Sequence, residues 1–163
     1  MNDVIEDFEK RESRVIKLLN EKGINYRLLF HNRSVFTCEE AAKERGVLLS
    51  EMIKCILLVD KDESYFLACV PSDKKVYPQK IRELMNCKRL SFASKEEIEE
   101  ILGYTMGAIP PLLLKNNVPI IFDNEIINKE RVNICTGNPK AGLELNPKDL
   151  ISLINPKLGD ITK

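Results

Sequence analysis

The stretch Met52-Ile53-Lys54-Cys55-Ile56-Leu57-Leu58-Val59 constrains this chain more than any other. It reads as a strand running to Asp60. Lys61-Asp62-Glu63-Ser64 then turns the chain into a second apolar run, Tyr65 to Val70, giving an antiparallel hairpin. Both faces of the first strand are apolar, and such a strand is normally buried between layers. Lys54 interrupts it and, by alternation, shares a face with Ile56 and Leu58. An ammonium left there without a partner is costly, so it must snorkel to water, find a counter-charge, or line a polar cavity. In the last case it is a fixed positive charge aimed at a phosphate or a developing oxyanion.

Other elements follow from periodicity and caps. Val4, Phe8, Val15 and Leu19, with Ile5 and Ile16 beside them, predict a helix from Asp3 to Glu21 that stops at Gly23. A short strand is expected over Tyr26–Phe30. Thr37-Cys38-Glu39-Glu40 forms a capping box for a helix through Arg45, ended by Gly46. Pro78 suits the first turn of a helix to Met85, and Ser94-Lys95-Glu96-Glu97 opens another that stops at Gly103. Ile120–Phe122 and Val132–Cys135 read as strands, and Asn146 caps a last helix through Ile154. Strands and helices intersperse without a βαβ rhythm, which predicts an α+β domain with a mixed sheet. At 163 residues a single domain over 1–163 is expected.

Composition excludes several classes. Apolar residues at 44% and charged residues at 31% suit a globular chain rather than a disordered one. No apolar run reaches the ~18 residues of a membrane span, and the acidic start Met1-Asn2-Asp3 is unlike a signal peptide. A cytoplasmic protein with no membrane partner is expected. The five cysteines form no C-x-x-C pair, so reduced, largely buried thiols are expected. A single histidine, His31, rules out a multi-histidine metal centre, and no metal or cofactor is expected.

Four places could carry function. Gly103-Tyr104-Thr105-Met106-Gly107-Ala108-Ile109-Pro110-Pro111 is a shaped loop able to hold bare N–H groups beside a ligand, or an ordinary surface connection. Gly137-Asn138-Pro139-Lys140-Ala141-Gly142 copies half of a P-loop. Leu143-Glu144 follows where Lys-Ser/Thr is required, so what remains is a hairpin connection or an anion-holding wall. His31 has no pairable nucleophile, which favours a structural or substrate-orienting role. Charge is balanced at 25 basic and 25 acidic residues. Even so, Lys74, Lys75, Lys80, Arg82, Lys88 and Arg89 cluster around a single Glu83. Such a cluster is a solvated helix face or a phosphate-contacting patch.

Taken in order, these motifs resemble the YbaK/ProX family of aminoacyl-tRNA deacylases. The resemblance runs from Tyr26 to Ile161. It includes His31 with Thr37 and Ala41-Ala42, Lys54 within its strand, Val70-Pro71-Ser72-Asp73, and Gly103 to Pro111. Val118 to Asp123, Thr136 to Leu145 and Leu158-Gly159-Asp160-Ile161 complete it. It implies a mixed, mostly antiparallel, barrel-like sheet surrounded by helices, and hydrolysis of the ester between a small amino acid and mischarged tRNA. Lys54 and the amides of Gly107 and Ala108 would act on the substrate carbonyl or terminal phosphate. His31, Gly103, Ile109, Pro110, Pro111, Gly137, Asn138 and Gly142 would contact substrate, and Lys74, Lys75, Lys80 and Arg82 would contact RNA. The implied partners are aminoacyl-tRNA and an aminoacyl-tRNA synthetase; a non-catalytic tRNA-binding or synthetase-accessory module is the alternative. Ser72, Ala108 and Pro110 depart from the family pattern and bear on substrate preference.

Overall fold

The computed structural model describes residues 2–163, with side chains described from Phe8 onward. Val4 and Ile5, part of the predicted apolar stripe, have side chains outside the described residues. Helix α1 (Asn2–Glu21) buries Val15 and Leu19. Strand β1 (Tyr26–Phe30) leads to α2 (Cys38–Arg45), where Thr37 accepts from the Glu40 amide and Gly46 closes the helix in the left-handed region. The hairpin follows as β2 (Ile53–Asp60) and β3 (Tyr65–Pro71), paired antiparallel from Ile53 opposite Pro71 to Val59 opposite Tyr65. Next come α3 (Pro78–Met85), β4 (Leu90–Phe92) and α4 (Lys95–Leu102), the last opened by the Ser94–Glu97 capping box. After the glycine-rich loop lie β5 (Ile120–Asp123), β6 (Val132–Cys135), β7 (Ala141–Leu145), α5 (Pro147–Ile154) and β8 (Lys157–Gly159).

Two sheets form. One has the order β4-β2-β3-β5-β8, the other β1-β7-β6, and a single parallel bridge between Met52 and Asn133 joins them. Four strand pairs are antiparallel; β5 is parallel to β3 and to β8. The expected mixed, mostly antiparallel α+β architecture is present.

The layering demanded by β2 is also present. Ile53 and Leu57 join the larger core, with α1, α4, β6 and β7. Leu58 packs on the other face in a smaller core, with Ile81 of α3 and Ile121 of β5. Three short strands had no sequence signal strong enough to predict them: β4, β7 and β8. β7 lies inside what reads as a glycine turn and its exit. Its pairing with β1 and β6 is what turns those residues into a strand. Among the described residues, no helix is long and apolar enough to cross a membrane.

Candidate functional site

Lys54 is the second residue of β2, two past the Met52 bridge that joins the two sheets, and is half-buried. Its neighbours enclose a small cavity of about 70 Å³, lined by Phe36, Cys38, Ile53, Lys54, Cys55, Gly107, Ile109 and Cys135. Four parts of the chain contribute: the entry to α2, the start of β2, the glycine-rich loop and the end of β6. Among the described residues Lys54 has no ion-pair partner. Its charge acts on the Cys38 thiol, favouring the thiolate against the larger effect of burial.

The glycine-rich loop reaches the cavity through Gly107 and Ile109. Thr105 to Ala108 form a turn closed by the Ala108 amide donating to the Thr105 carbonyl at 2.9 Å. Gly107 has φ +86°, the value that the third residue of a type II turn requires. A β-carbon there would also stand 2.0 Å from the Phe36 carbonyl oxygen, so the position admits only glycine. The Ala108 amide is thus consumed by the turn, and Ala108 is buried. Gly107 is exposed to the cavity. Of the two residues whose amides are expected to face a substrate oxygen, Gly107 lines the cavity and Ala108 does not. Gly103 caps α4, while Pro110 and Pro111 are buried and hold the loop; Pro111 faces a separate groove beside Leu18 and Leu153. Tyr104 braces the same loop by donating to the carbonyls of Leu112 and Leu113.

Gly137, Asn138 and Gly142 lie outside the cavity lining, and both glycines are buried. Three amides of this turn are already used. Asn138 N–H donates to Thr136 Oγ1, Lys140 N–H to Asn138 Oδ1, and Ala141 N–H to the Asn138 carbonyl. Of the two readings of this segment, the hairpin connection is the one these bonds fit. His31 stands outside the cavity as well, with both ring nitrogens engaged.

Cysteine is the residue type whose role here the sequence hid. Alternation sets Cys55 opposite Lys54, yet the cavity opens at the strand's end and touches both. Cys38 and Cys135 join it from distant segments. All three thiols are held up in pKa: Cys135 to about 12 by burial, Cys38 by burial, and Cys55 well above the ordinary value by the Cys69 thiol 3.5 Å away and by burial. The thiolate is the reactive form, so these sulfurs are inert walls at neutral pH. Among the described residues no group of three or more His, Cys, Asp or Glu is placed to hold a metal ion.

In the basic stretch, Lys75 and Arg82 are exposed and Lys74 is half-buried. Lys80 is occupied: it pairs with Asp160 at 2.9 Å, donates to the Thr162 carbonyl at 2.7 Å and lies over the Tyr77 ring. Lys74 and Lys75 follow Pro71, the residue opposite Ile53, so they sit at the Lys54 end of the hairpin.

Fold and site together define an α+β domain with a small cavity at a sheet seam, lined by one lysine, a glycine-rich loop and three thiols held protonated. Residues 32–153 match the aminoacyl-tRNA editing domain, and the chain belongs to that family. Over 145 residues it is 28% identical to the Prolyl-tRNA editing protein ProX of Acetoanaerobium sticklandii, covering 86% of this chain and 88% of the relative. It is 24% identical to the Multifunctional Ser/Thr-tRNA deacylase ProXp-y of Escherichia coli, covering 89% of each. The crystal structure of hypothetical protein APE2540 superposes with a TM-score of 0.85 at 26% identity, covering 91% of this chain and 99% of that one.

Proposed function

We propose that this protein hydrolyses the ester joining a small amino acid to the terminal ribose of mischarged tRNA. The observation that carries the reading is one cavity holding both the Lys54 ammonium, which has no ion-pair partner, and the exposed Gly107. Family membership and the deacylase and editing names of the relatives support it. The size of the cavity supports the small side chain. Its volume, about 70 Å³, is half the ~150 Å³ of a cavity that admits benzene, so a few heavy atoms fit and a nucleoside does not. The ribose and base stay outside, and the ester sits at the mouth.

The chemistry asks little of the protein. An aminoacyl ester is already activated, so positioning and charge stabilisation supply the rate. Lys54 holds the carbonyl oxygen or the terminal phosphate, and the Gly107 amide receives the negative charge that develops on the carbonyl oxygen. Water attacks the carbonyl carbon, directly or assisted by a hydroxyl of the substrate; the ester C–O bond breaks, the amino acid leaves as its carboxylate, and a proton from the water passes to the departing ribose oxygen. The thiols stay protonated and take no covalent part. Lys75 and Arg82 contact the RNA backbone.

Incubation with a panel of mischarged tRNAs tests the reading. Wild-type protein is expected to release the amino acid from at least one of them. Lys54→Ala, with an unchanged circular dichroism spectrum, is expected to lose roughly 10²–10³ in kcat/KM, the cost of removing one oxyanion-stabilising group. Full activity in that variant would remove Lys54 from the mechanism. Tight binding of tRNA without ester loss would identify a non-catalytic module instead.

A further inference from the structure

Arg45, the last residue of α2, has a side chain that ties together parts of the chain far apart in sequence. Its Nε–H donates to His31 Nε2 at 3.3 Å, and Nη2 donates to the Ala141 carbonyl at 3.3 Å. The guanidinium lies against Gly142, where a β-carbon would be 2.4 Å from Cζ, so only glycine leaves room for it. His31 is fixed in turn. Its Nδ1 is 2.7 Å from the Arg33 carbonyl, which can only accept, so Nδ1 carries the proton and Nε2 offers its lone pair to Arg45. That excludes His31 as a free base and makes it the holder of Arg45.

Cys135 is the β6 residue paired opposite Gly142, against which the guanidinium lies, so the two side chains share one place on the sheet, and the arginine's influence on that thiol opposes burial. The Cys135 S–H reaches toward the Gly107 carbonyl, with the sulfur 3.8 Å from the oxygen. The peptide after Gly107 is therefore held on both sides, its carbonyl by Cys135 and its N–H by Thr105. Meanwhile Arg45 Nη1 is buried with no hydrogen-bond partner. A buried donor left unsatisfied is a cost to stability, which argues that the arginine is kept for something else.

We propose that Arg45 is a positioning residue of this site: clamped by His31, Ala141 and Gly142, it fixes Cys135 and through it the Gly107 carbonyl, and so sets the orientation of the residue whose own N–H is to meet the substrate oxygen. The proposal rests on the deacylase reading above. It predicts a loss in kcat rather than in binding, because Arg45 lies outside the cavity lining. Displacing a catalytic group by about an ångström costs on the order of 10²-fold.

The experiment measures steady-state deacylation for wild type, Lys54→Ala, Arg45→Leu and Arg45→Gln, with thermal unfolding of each. Expected for both Arg45 variants are a 10- to 100-fold fall in kcat, KM within about twofold, and an unchanged or raised Tm. Gly142→Ala, which forces the guanidinium aside, should lower kcat to a similar degree, with no further loss when combined with Arg45→Leu. The backbone amide resonance of Gly107 should shift in Arg45→Leu, a readout independent of turnover. An unchanged kcat in a folded Arg45 variant, a change confined to KM, additive losses with Gly142→Ala, or an unmoved Gly107 resonance would each overturn the proposal. If wild type fails to turn over any ester, the deacylase reading falls and takes this proposal with it. If wild type and Lys54→Ala behave as expected and the Arg45 variants do not, only Arg45 loses its role.

Discussion

Gly107 is the residue at which backbone geometry and proposed chemistry meet. Its φ of +86° strains any side chain, and the Phe36 carbonyl occupies the place of a β-carbon. Gly107→Ala must therefore move the loop or the Phe36 backbone. The expected cost is about 1–3 kcal/mol, or roughly 2–12 °C in Tm for a domain this size, together with loss of deacylation. Differential scanning calorimetry checks the first and an ester-release assay the second. Residues of this kind were legible in the sequence because they violate a local rule: Lys54 is a charge in an apolar strand, and Gly107 is a glycine in a proline-bound loop. Arg45, His31 and Cys135 violate nothing locally. Their association is made by folding between α2, the exit of β1 and the end of β6, and no spacing along the chain announces it.

At the scale of elements, caps were legible, as were the short strands β1, β5 and β6, whereas β4, β7 and β8 were not. Thr37, Ser94 and Asn146 each accept from the backbone amide that an N-cap should. Their helices start where polar caps precede apolar residues. β7 was hidden because Gly142 weakens its local preference for strand, and only pairing on both sides makes it one. The caps give a paired test. Thr37→Ala and Ser94→Ala should each cost about 0.5–2 kcal/mol in thermal or urea unfolding. Only Thr37→Ala should also lower kcat, because α2 carries Cys38 to the cavity and Arg45 to its place behind the lining. An equal effect of both on kcat would show that the two helices matter only through global stability.

For the whole molecule, pH and salt give the sharpest readouts. Cys38, Cys55 and Cys135 all have folded-state pKa values raised above the unfolded thiol, Cys135 to about 12. The unfolded chain releases those protons first as pH rises, so the stability they contribute is complete below about pH 8.5 and is lost toward about pH 12. Urea unfolding under reducing conditions should show stability falling from pH 8 to pH 10, less steeply in Cys135→Ala. The deacylation rate, corrected for spontaneous hydrolysis, should show no thiol ionisation between pH 6 and 9. On the RNA side, removing the charge of Lys75 or Arg82 should weaken tRNA binding and flatten its salt dependence by about one charge each. Lys80→Ala should chiefly destabilise the contact with Asp160 and the carboxy-terminal segment. Composition could not separate these lysines, because what distinguishes them is whether folding has already given them a partner.

The cavity is walled by two sheets that meet at one bridge, Met52 with Asn133, so its width is the gap between β2 and β6. Asn133, buried at that junction with both side-chain polar atoms unpartnered, is a place where an apolar side chain of similar size would cost little. On the proposed reading, selectivity among amino acids that differ by one methyl group, worth roughly 10–200-fold in such a pocket, would be adjustable from behind the wall. A lineage could retune which error it corrects by exchanging residues at the junction, leaving every group that touches the substrate in place.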